Sequence, residues 1–173
     1  MFSSLRLVLV LTGLVFASSA CASSRNREPE PTWAEGEFET ESSRVLWEFS
    51  VLALDKVGFP LGSKVDPGRM VAITGWRTSL SPFKGRGFRQ MAELEINRLP
   101  EGGHGIRIRV KHQINDALVR PTDLSYADWK WRPDDEVTAR ILLQHIRSYV
   151  ATELDLTERA VDPFAIPDFE PEN

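Results

Sequence analysis

Two neighbouring segments of the chain, residues 88–97 and 106–114, alternate between apolar and polar side chains. A period of two places alternate side chains on opposite faces of a β-strand, so each segment predicts a strand with one buried and one solvent-exposed face. The turn sequence PEGG at residues 100–103 lies between them and predicts an antiparallel hairpin. Such a hairpin needs a second layer that covers its apolar face.

The hairpin has a predicted register, because a chain folded about residue 102 pairs positions whose numbers sum to about 204. This register places Ile96 opposite Ile108 on the buried face and Glu95 opposite Arg109 on the exposed face. Opposite charges that face each other across a strand pair contribute roughly 0.2–1 kcal/mol each. Both faces therefore favour the same alignment.

Amphipathic helices are predicted on both sides of the strands. The first spans residues 43–57, with Ser42 and Ser43 as candidate N-caps and Gly58 suited to the left-handed position after its end. The second begins at residues 133–136, where acidic side chains suit the positive end of the helix dipole. The predicted buried stripes are Val45, Leu46, Phe49, Leu52, Ala53 and Val57 in the first helix, and Ala139, Leu142, Leu143, Ile146, Val150 and Leu154 in the second.

A further strand is predicted over residues 70–78, which have apolar side chains on both faces. Two explanations remain open: both faces are covered, or Gly75 marks a bulge. The sequence thus predicts an α+β fold in the order α-β-β-β-α. Two helices pack on one face of an antiparallel sheet with three strands or slightly more. The single domain is placed at residues 42–156.

A short pattern runs from the first helix into this strand: Trp47 early in the helix, Ala53-Leu54 near its end, Gly58-Phe59 just after it, and Asp66 with Gly68 before the strand. The pattern covers about 35 residues and resembles helix-grip domains. Such domains occur in the accessory lipoprotein of the outer-membrane barrel-assembly machinery, which carries two where this chain has one. The resemblance implies a non-catalytic module, tethered by lipid, that contacts other envelope proteins.

The first twenty residues have the composition of an export signal. Arg6 precedes an apolar run at residues 7–16, and small residues follow it. As a helix this run rises about 15 Å, half the thickness of the hydrocarbon core of a bilayer, so it is too short for a stable transmembrane helix. We therefore predict a signal peptide at residues 1–20.

The single cysteine of the chain, Cys21, follows directly, in the sequence ASSACAS of residues 17–23. This segment resembles a bacterial lipobox, with Ser18 at the position where that family usually has Leu. The resemblance implies that Cys21 is acylated with diacylglycerol and palmitate, and that Ala22 favours transfer to the outer membrane, facing the periplasm. An ordinary signal-peptidase cut after Ala20 or Ala22 is the alternative and would give a secreted protein. Removal of an unpaired thiol in an oxidising envelope favours the lipidated form.

The segments that flank the predicted domain have a different composition. Residues 22–32 contain no large apolar side chain, so we predict residues 21–41 as a lipidated cysteine followed by a disordered tether. Its eleven most polar residues, 22–32, would reach about 35–40 Å when extended. Residues 157–173 are acidic and rich in proline and are predicted as a tail.

Charge is unevenly distributed along the chain. Residues 64–111 carry ten Lys and Arg against four Asp and Glu, whereas residues 153–173 carry seven acidic residues and one Arg. Either the basic strand face meets Glu93, Glu95 and the acidic tail, or it binds an anionic lipid, glycolipid or cell-wall ligand. The candidate anion-binding residues are Lys84, Arg86, Arg89, Arg107 and Arg109. The formal net charge of −4 gives no reason to expect a nucleic-acid partner, and export disfavours one, so none is predicted.

Sequence patterns typical of catalytic and metal sites, such as HExxH, CxxC and GxSxG, do not occur in the chain. Structural roles are predicted for the three histidines, His104, His112 and His145, and we expect neither a metal nor a cofactor. The sequence therefore predicts a non-enzymatic, lipid-anchored envelope protein that acts as a scaffold or assembly module with an envelope protein partner. A binding module for an anionic ligand is the main alternative, and a hydrolase of envelope polymers is a further one.

Overall fold

The structure, a computed structural model, describes residues 26–40, 42–62, 64–80 and 85–161, with side chains up to residue 154. Within these residues two helices pack on one face of a seven-stranded antiparallel sheet. The elements are β1 (Ala34–Phe38), α1 (Ser43–Val57), β2 (Lys64–Asp66), β3 (Val71–Ile73), β4 (Arg77–Ser79), β5 (Phe88–Arg98), β6 (His104–Asn115), β7 (Trp129–Arg132) and α2 (Glu136–Val161). The predicted α+β class is confirmed, but the predicted order α-β-β-β-α lacks β1, β2 and β7 and has a single strand in place of β3 and β4.

Strand β6 is the centre of the sheet. One of its edges pairs with β5 along nearly its whole length, and β3 and β4 pair with the far edge of β5. The other edge of β6 is shared: β1 pairs with its first residues, from His104 to Ile108, and β7 with its last, from His112 to Asn115. A short gap is left between β1 and β7, opposite Arg109.

Strand β1 corrects the prediction that residues 21–41 form a disordered tether, because residues 34–38 are part of the sheet. The strand buries only Gly36 and Phe38, so its hydrophobic signal in the sequence is short. At Gly36 a Cβ atom would lie 2.9 Å from the Cδ1 atom of Leu143, so the absence of a side chain lets α2 approach the strand closely. The folded domain therefore begins before residue 42.

The hairpin of β5 and β6 forms as predicted, but its register is displaced by two residues. Ile96 lies opposite Ile106 rather than Ile108, and Glu95 lies opposite Arg107 rather than Arg109. The reason is the turn: Gly102 and Gly103 both have positive φ values, 102° and 73°, and follow the tip of the turn. Since the displacement is an even number of residues, the predicted faces are unchanged, and Leu94, Ile96, Ile106, Ile108 and Val110 are buried.

The predicted strand at residues 70–78 is interrupted. Strands β3 and β4 both pair with β5, but three residues separate Ile73 from Arg77 while two separate their partners on β5. The Gly75 amide donates to the Pro60 carbonyl oxygen, at 2.7 Å, instead of to β5. The structure therefore agrees with a bulge at this position.

Both helices begin where the sequence predicts. The Ser42 hydroxyl accepts a hydrogen bond from the Val45 amide at the start of α1, and Gly58 adopts the left-handed conformation after its end, with φ of 86°. Two residues of the predicted stripes are exposed: Leu52 is 46% exposed and Leu154 is 56% exposed. Three more, Val45, Phe49 and Val57 of α1, are half-buried. In α1 the buried face contains Ser50, whose hydroxyl bonds to the Leu46 carbonyl, and α2 continues beyond its last buried residue.

Helix α2 also includes residues 157–161, which the sequence analysis assigned to the tail. The predicted signal peptide at residues 1–20, the lipidation site Cys21, the candidate Lys84 and the tail beyond residue 161 lie outside the described residues.

Candidate functional site

Arg109 lies on the outer face of the sheet, the face opposite the helices, and fills the gap between β1 and β7. Its side chain is only 5% exposed. The guanidinium Nε donates to Asp134 Oδ2 at 2.6 Å, and Nη2 lies 2.9 Å from Glu28 Oε1. A third carboxylate, that of Glu93, lies 3.7 Å away. The positive charge of Arg109 is therefore matched inside the protein, and the side chain is not available to an external anion.

Lys111, the next outward residue of β6, extends this ion-pair network. Its ammonium lies 2.6 Å from Glu93 and 3.1 Å from Glu28. Burial alone would lower the pKa of Lys111, but the two carboxylates raise it above its ordinary value. Burial alone would likewise raise the pKa of Glu28, but Lys111 and Arg109 hold it below its ordinary value. Glu93 and Lys111 pair diagonally across β5 and β6, because Glu93 lies directly opposite Arg109 in this register.

Arg89 lies between two tryptophan rings on the same outer face. Its guanidinium carbon is 4.4 Å from the centre of the Trp76 ring and 4.6 Å from that of Trp129, and its Nε donates to Gln113 Oε1 at 2.7 Å. Trp131 adds a tilted ring contact with Trp76 at 6.0 Å. Burial in this stack lowers the pKa of Arg89. The cation is held by aromatic faces and one amide, an arrangement that stabilises the sheet face.

The remaining candidate arginines are also paired. Arg107 donates to Glu95 at 2.7 Å and stacks on Trp33 at 4.7 Å, and Arg86 forms an exposed ion pair with Asp116. Arg107 and Gln113, the partner of Arg89, are six residues apart on β6, a distance of about 20 Å. The described candidates therefore do not converge on a single anion-binding site.

A second polar chain connects the sheet to both helices. Arg77 of β4 donates to the Val57 carbonyl at the end of α1, at 2.6 Å, and also to the Gln90 side chain. Gln90 in turn donates to Asp135, which caps α2 by accepting from the Thr138 amide at 3.0 Å and from its hydroxyl at 2.7 Å. Although burial alone would raise the pKa of Asp135, these hydrogen bonds and the nearby His112 hold it below its ordinary value.

Each histidine has a structural contact. The His104 ring nitrogen Nδ1 lies 2.9 Å from the Thr40 carbonyl oxygen, and the His145 ring stacks on Tyr149 at 6.3 Å. His112 meets the Phe88 ring edge-on at 6.0 Å. Burial lowers the pKa of His112, and Arg132 adds to this effect while Asp135 opposes it. Over the described residues, no group of three or more His, Cys, Asp or Glu side chains is arranged to hold a metal ion.

Sequence reasoning missed the two acidic residues that complete the ion-pair network, Glu28 and Asp134. Glu28 fell within the predicted tether, and Asp134 was explained by the helix dipole alone. Only Arg109 could have pointed to these two residues. A charged side chain in a strand needs an ion-pair partner if the outer face of the sheet is covered.

None of the helices in the described part of the chain has the length and apolar character needed to cross a membrane. No protein-family model matches the chain, and a search of curated proteins finds no match.

Proposed function

We propose that this chain is a lipid-anchored protein of a bacterial envelope whose folded domain acts without catalysis, as a scaffold or assembly module. The apolar run at residues 7–16 and the lipobox-like sequence around Cys21 support export and lipidation. The resemblance of the stretch that contains Trp47, Gly58 and Gly68 to helix-grip domains supports a role in contacts with other envelope proteins. Its location would be the outer membrane, on the periplasmic side.

The observation that carries the proposal is the attachment of Asn26 to the domain, five residues after Cys21. The Asn26 side chain donates to the Trp129 carbonyl at 2.7 Å and accepts from the Trp131 amide at 2.8 Å, so the chain joins the domain there. The five residue-to-residue steps from Cys21 to Asn26 span at most about 18 Å. A lipid on Cys21 would therefore hold the domain directly at the bilayer, which suits a module that acts on membrane-associated partners.

The polar side chains of the sheet support a non-catalytic role. Asp134 is bonded to Arg109, Asp135 is bonded to Thr138, and both carboxylates are thereby committed to holding the start of α2. The alternative of an anionic-ligand module gains no support from the placement of Arg86, Arg89, Arg107 and Arg109, whose charges are met by internal carboxylates or aromatic rings.

Metabolic labelling with a clickable palmitate analogue tests the anchor. The wild-type protein should be labelled and Cys21→Ala should not, and the intact mass of the purified protein should show loss of residues 1–20 plus the acyl chains. Cross-linking in cells followed by mass spectrometry tests the partner. An unlabelled protein with normal processing of Cys21→Ala would contradict lipidation, and recovery of no envelope protein would contradict the scaffold role.

A further inference from the structure

The loop between β6 and β7 exposes large apolar side chains. The exposed fractions are 93% for Leu118, 69% for Val119, 60% for Leu124 and 51% for Tyr126. Apolar side chains that gather on one loop, away from the core, mark an interaction surface. We call residues 117–127 the apolar loop.

The apolar loop is held in a defined shape by Asn115, a buried residue at the end of β6. The Asn115 side chain donates to the Pro121 carbonyl at 2.9 Å, and its oxygen accepts from the amides of Ala117 and Asp128, each at 3.0 Å. A short 3-10 turn at Leu124–Tyr126 is capped by Asp123. Because the shape of the loop is fixed by internal bonds, its apolar side chains are presented to solvent without a further ordering cost.

The N-terminal segment reaches the domain at the base of this same loop. Asn26 is bonded to Trp129 and Trp131, and the adjacent Asp128 carbonyl accepts a hydrogen bond from the Asp116 amide at 2.8 Å. The short stretch from Cys21 to Asn26 therefore ends beside the apolar loop. An anchor at Cys21 would hold Asn26, and with it the base of the apolar loop, within about 18 Å of the membrane surface.

We propose that the apolar loop inserts its exposed side chains into the surface of the membrane that holds lipidated Cys21. This inference rests on the lipid anchor of the proposed function. The loop contains one Arg and one Asp, so the contact depends on burial of apolar side chains and not on attraction to anionic lipid. Arg120 and Tyr126, which stack at 4.8 Å, supply a cation and an aromatic ring suited to the headgroup region.

Site-specific fluorescence quenching tests this contact separately from lipidation. The chain from residue 22 to residue 173 is attached through an N-terminal hexahistidine tag to phosphatidylcholine vesicles that contain a nickel-chelating lipid. A single cysteine carrying an environment-sensitive dye replaces Val119, or Val137 as the matched control; these residues are 69% and 68% exposed. Val137 lies in the first turn of α2, beyond the end of β7 that is remote from the apolar loop.

Brominated acyl chains should quench the dye at position 119 about twofold and leave the dye at position 137 unquenched, because only the apolar loop enters the acyl boundary. Leu118→Ser should reduce the quenching at position 119 by about half, whereas Leu52→Ser on α1 should leave it unchanged. Addition of the anionic lipid phosphatidylglycerol should not increase the quenching at position 119, because the contact depends on apolar burial. Equal quenching at both positions, or no quenching at position 119, would overturn the proposal. Cross-linking of the loop to an envelope protein, with no quenching of its dye, would also overturn it and would indicate a protein partner.

The labelling of Cys21 with palmitate is read separately. Quenching at position 119 without palmitate on Cys21 would refute the lipid anchor and support the loop contact. Palmitate on Cys21 with an unquenched loop would refute the loop contact alone.

Discussion

The Arg109 guanidinium donates to both carboxylate oxygens of Asp134, with N–O distances of 2.6 and 3.3 Å. The Asp134 side chain is fully buried, and its Oδ2 also accepts a hydrogen bond from the Thr32 amide at 2.9 Å. One carboxylate therefore joins the N-terminal segment, the central strand β6 and the start of α2. Since the pair lies where neither β1 nor β7 reaches β6, it replaces the strand contacts that the gap lacks.

Asp134→Ala should destabilise the protein strongly, because it leaves a buried cation with less compensation. Breaking a buried ion pair costs about 3–5 kcal/mol. Because Glu28 and Glu93 still contact Arg109 in this variant, we expect the free energy of unfolding to fall by about 3 kcal/mol, the lower end of that range. Urea denaturation measures the free energy of unfolding. Arg44→Ala, which removes the exposed Arg44–Glu48 pair of α1, is the control and should leave the free energy of unfolding nearly unchanged. Similar losses in both variants would contradict a structural role for Asp134.

The ion-pair network shows what sequence periodicity predicts and what it does not. Alternation correctly placed Arg107 and Arg109 on one face, because the side-chain period of a strand is fixed by its geometry. Their different burial depends on Glu28 and Asp134, which are distant in sequence and approach only when the N-terminal segment covers the outer face. Long-range contacts of this kind leave no periodic signal, so a solvated face was expected where an ion-pair network forms.

Gly103→Ala should destabilise the β5–β6 hairpin for two reasons. The residue has φ of 73°, and a Cβ atom would lie 2.5 Å from the Phe38 carbonyl oxygen of the neighbouring strand. We expect the free energy of unfolding, measured by heat or urea, to fall by about 3 kcal/mol. One part of this loss comes from the positive φ of an alanine, and the other from the displacement of β1. Gly102→Ala isolates the first part, since no atom lies within 4 Å of its Cβ position, and should cost about 1–2 kcal/mol. An equal cost at both positions would exclude the contact with β1.

The same turn explains why the register could not be read from the sequence. Two adjacent glycines suggested a turn centred at residue 102, but in the structure both follow the tip, and the Gly102 amide bonds back to the Leu99 carbonyl at 3.2 Å. The second glycine is required by β1, a strand that the sequence analysis did not predict. The helix boundaries needed no such partner, because Ser42 and Gly58 act on their own helix ends.

His112 should make the stability depend on pH in the mildly acidic range. Burial is the main reason why its pKa lies below the ordinary value of 6.5, so the unfolded chain binds a proton at a higher pH than the folded protein does. The free energy of unfolding should therefore fall as pH drops below about 6.5, until the lowered folded pKa is reached. Asp135, whose pKa is lowered from 3.8, contributes stability that is lost only at still lower pH.

Urea unfolding of the wild type and of His112→Asn between pH 7.5 and pH 5 would measure this effect. The variant cannot take up the proton, so its stability should change less with pH than that of the wild type. An unchanged slope in His112→Asn would show that other groups cause the dependence.

Leu142→Ala and Leu154→Ala compare two positions of α2 that the sequence analysis placed in one buried stripe. Leu142 is fully buried, whereas Leu154 is 56% exposed. Truncation of a buried leucine leaves a cavity, so Leu142→Ala should lower the free energy of unfolding by about 2–5 kcal/mol. Leu154→Ala should change it by less than about 0.5 kcal/mol. Comparable losses would mean that the last turns of α2 pack against the domain.

Asn26→Ala tests whether the N-terminal segment is attached at the base of the apolar loop. The substitution removes the acceptor of the Trp131 amide, so hydrogen exchange of that amide should become faster. The cost in global stability should be small, about 1 kcal/mol or less, because the two lost hydrogen bonds are exposed. Asn97→Ala, an exposed substitution on β5, should leave the Trp131 amide unchanged. Unaltered exchange in Asn26→Ala would mean that the segment is free at this point, and the reach of a lipid on Cys21 would then no longer be limited by five residues.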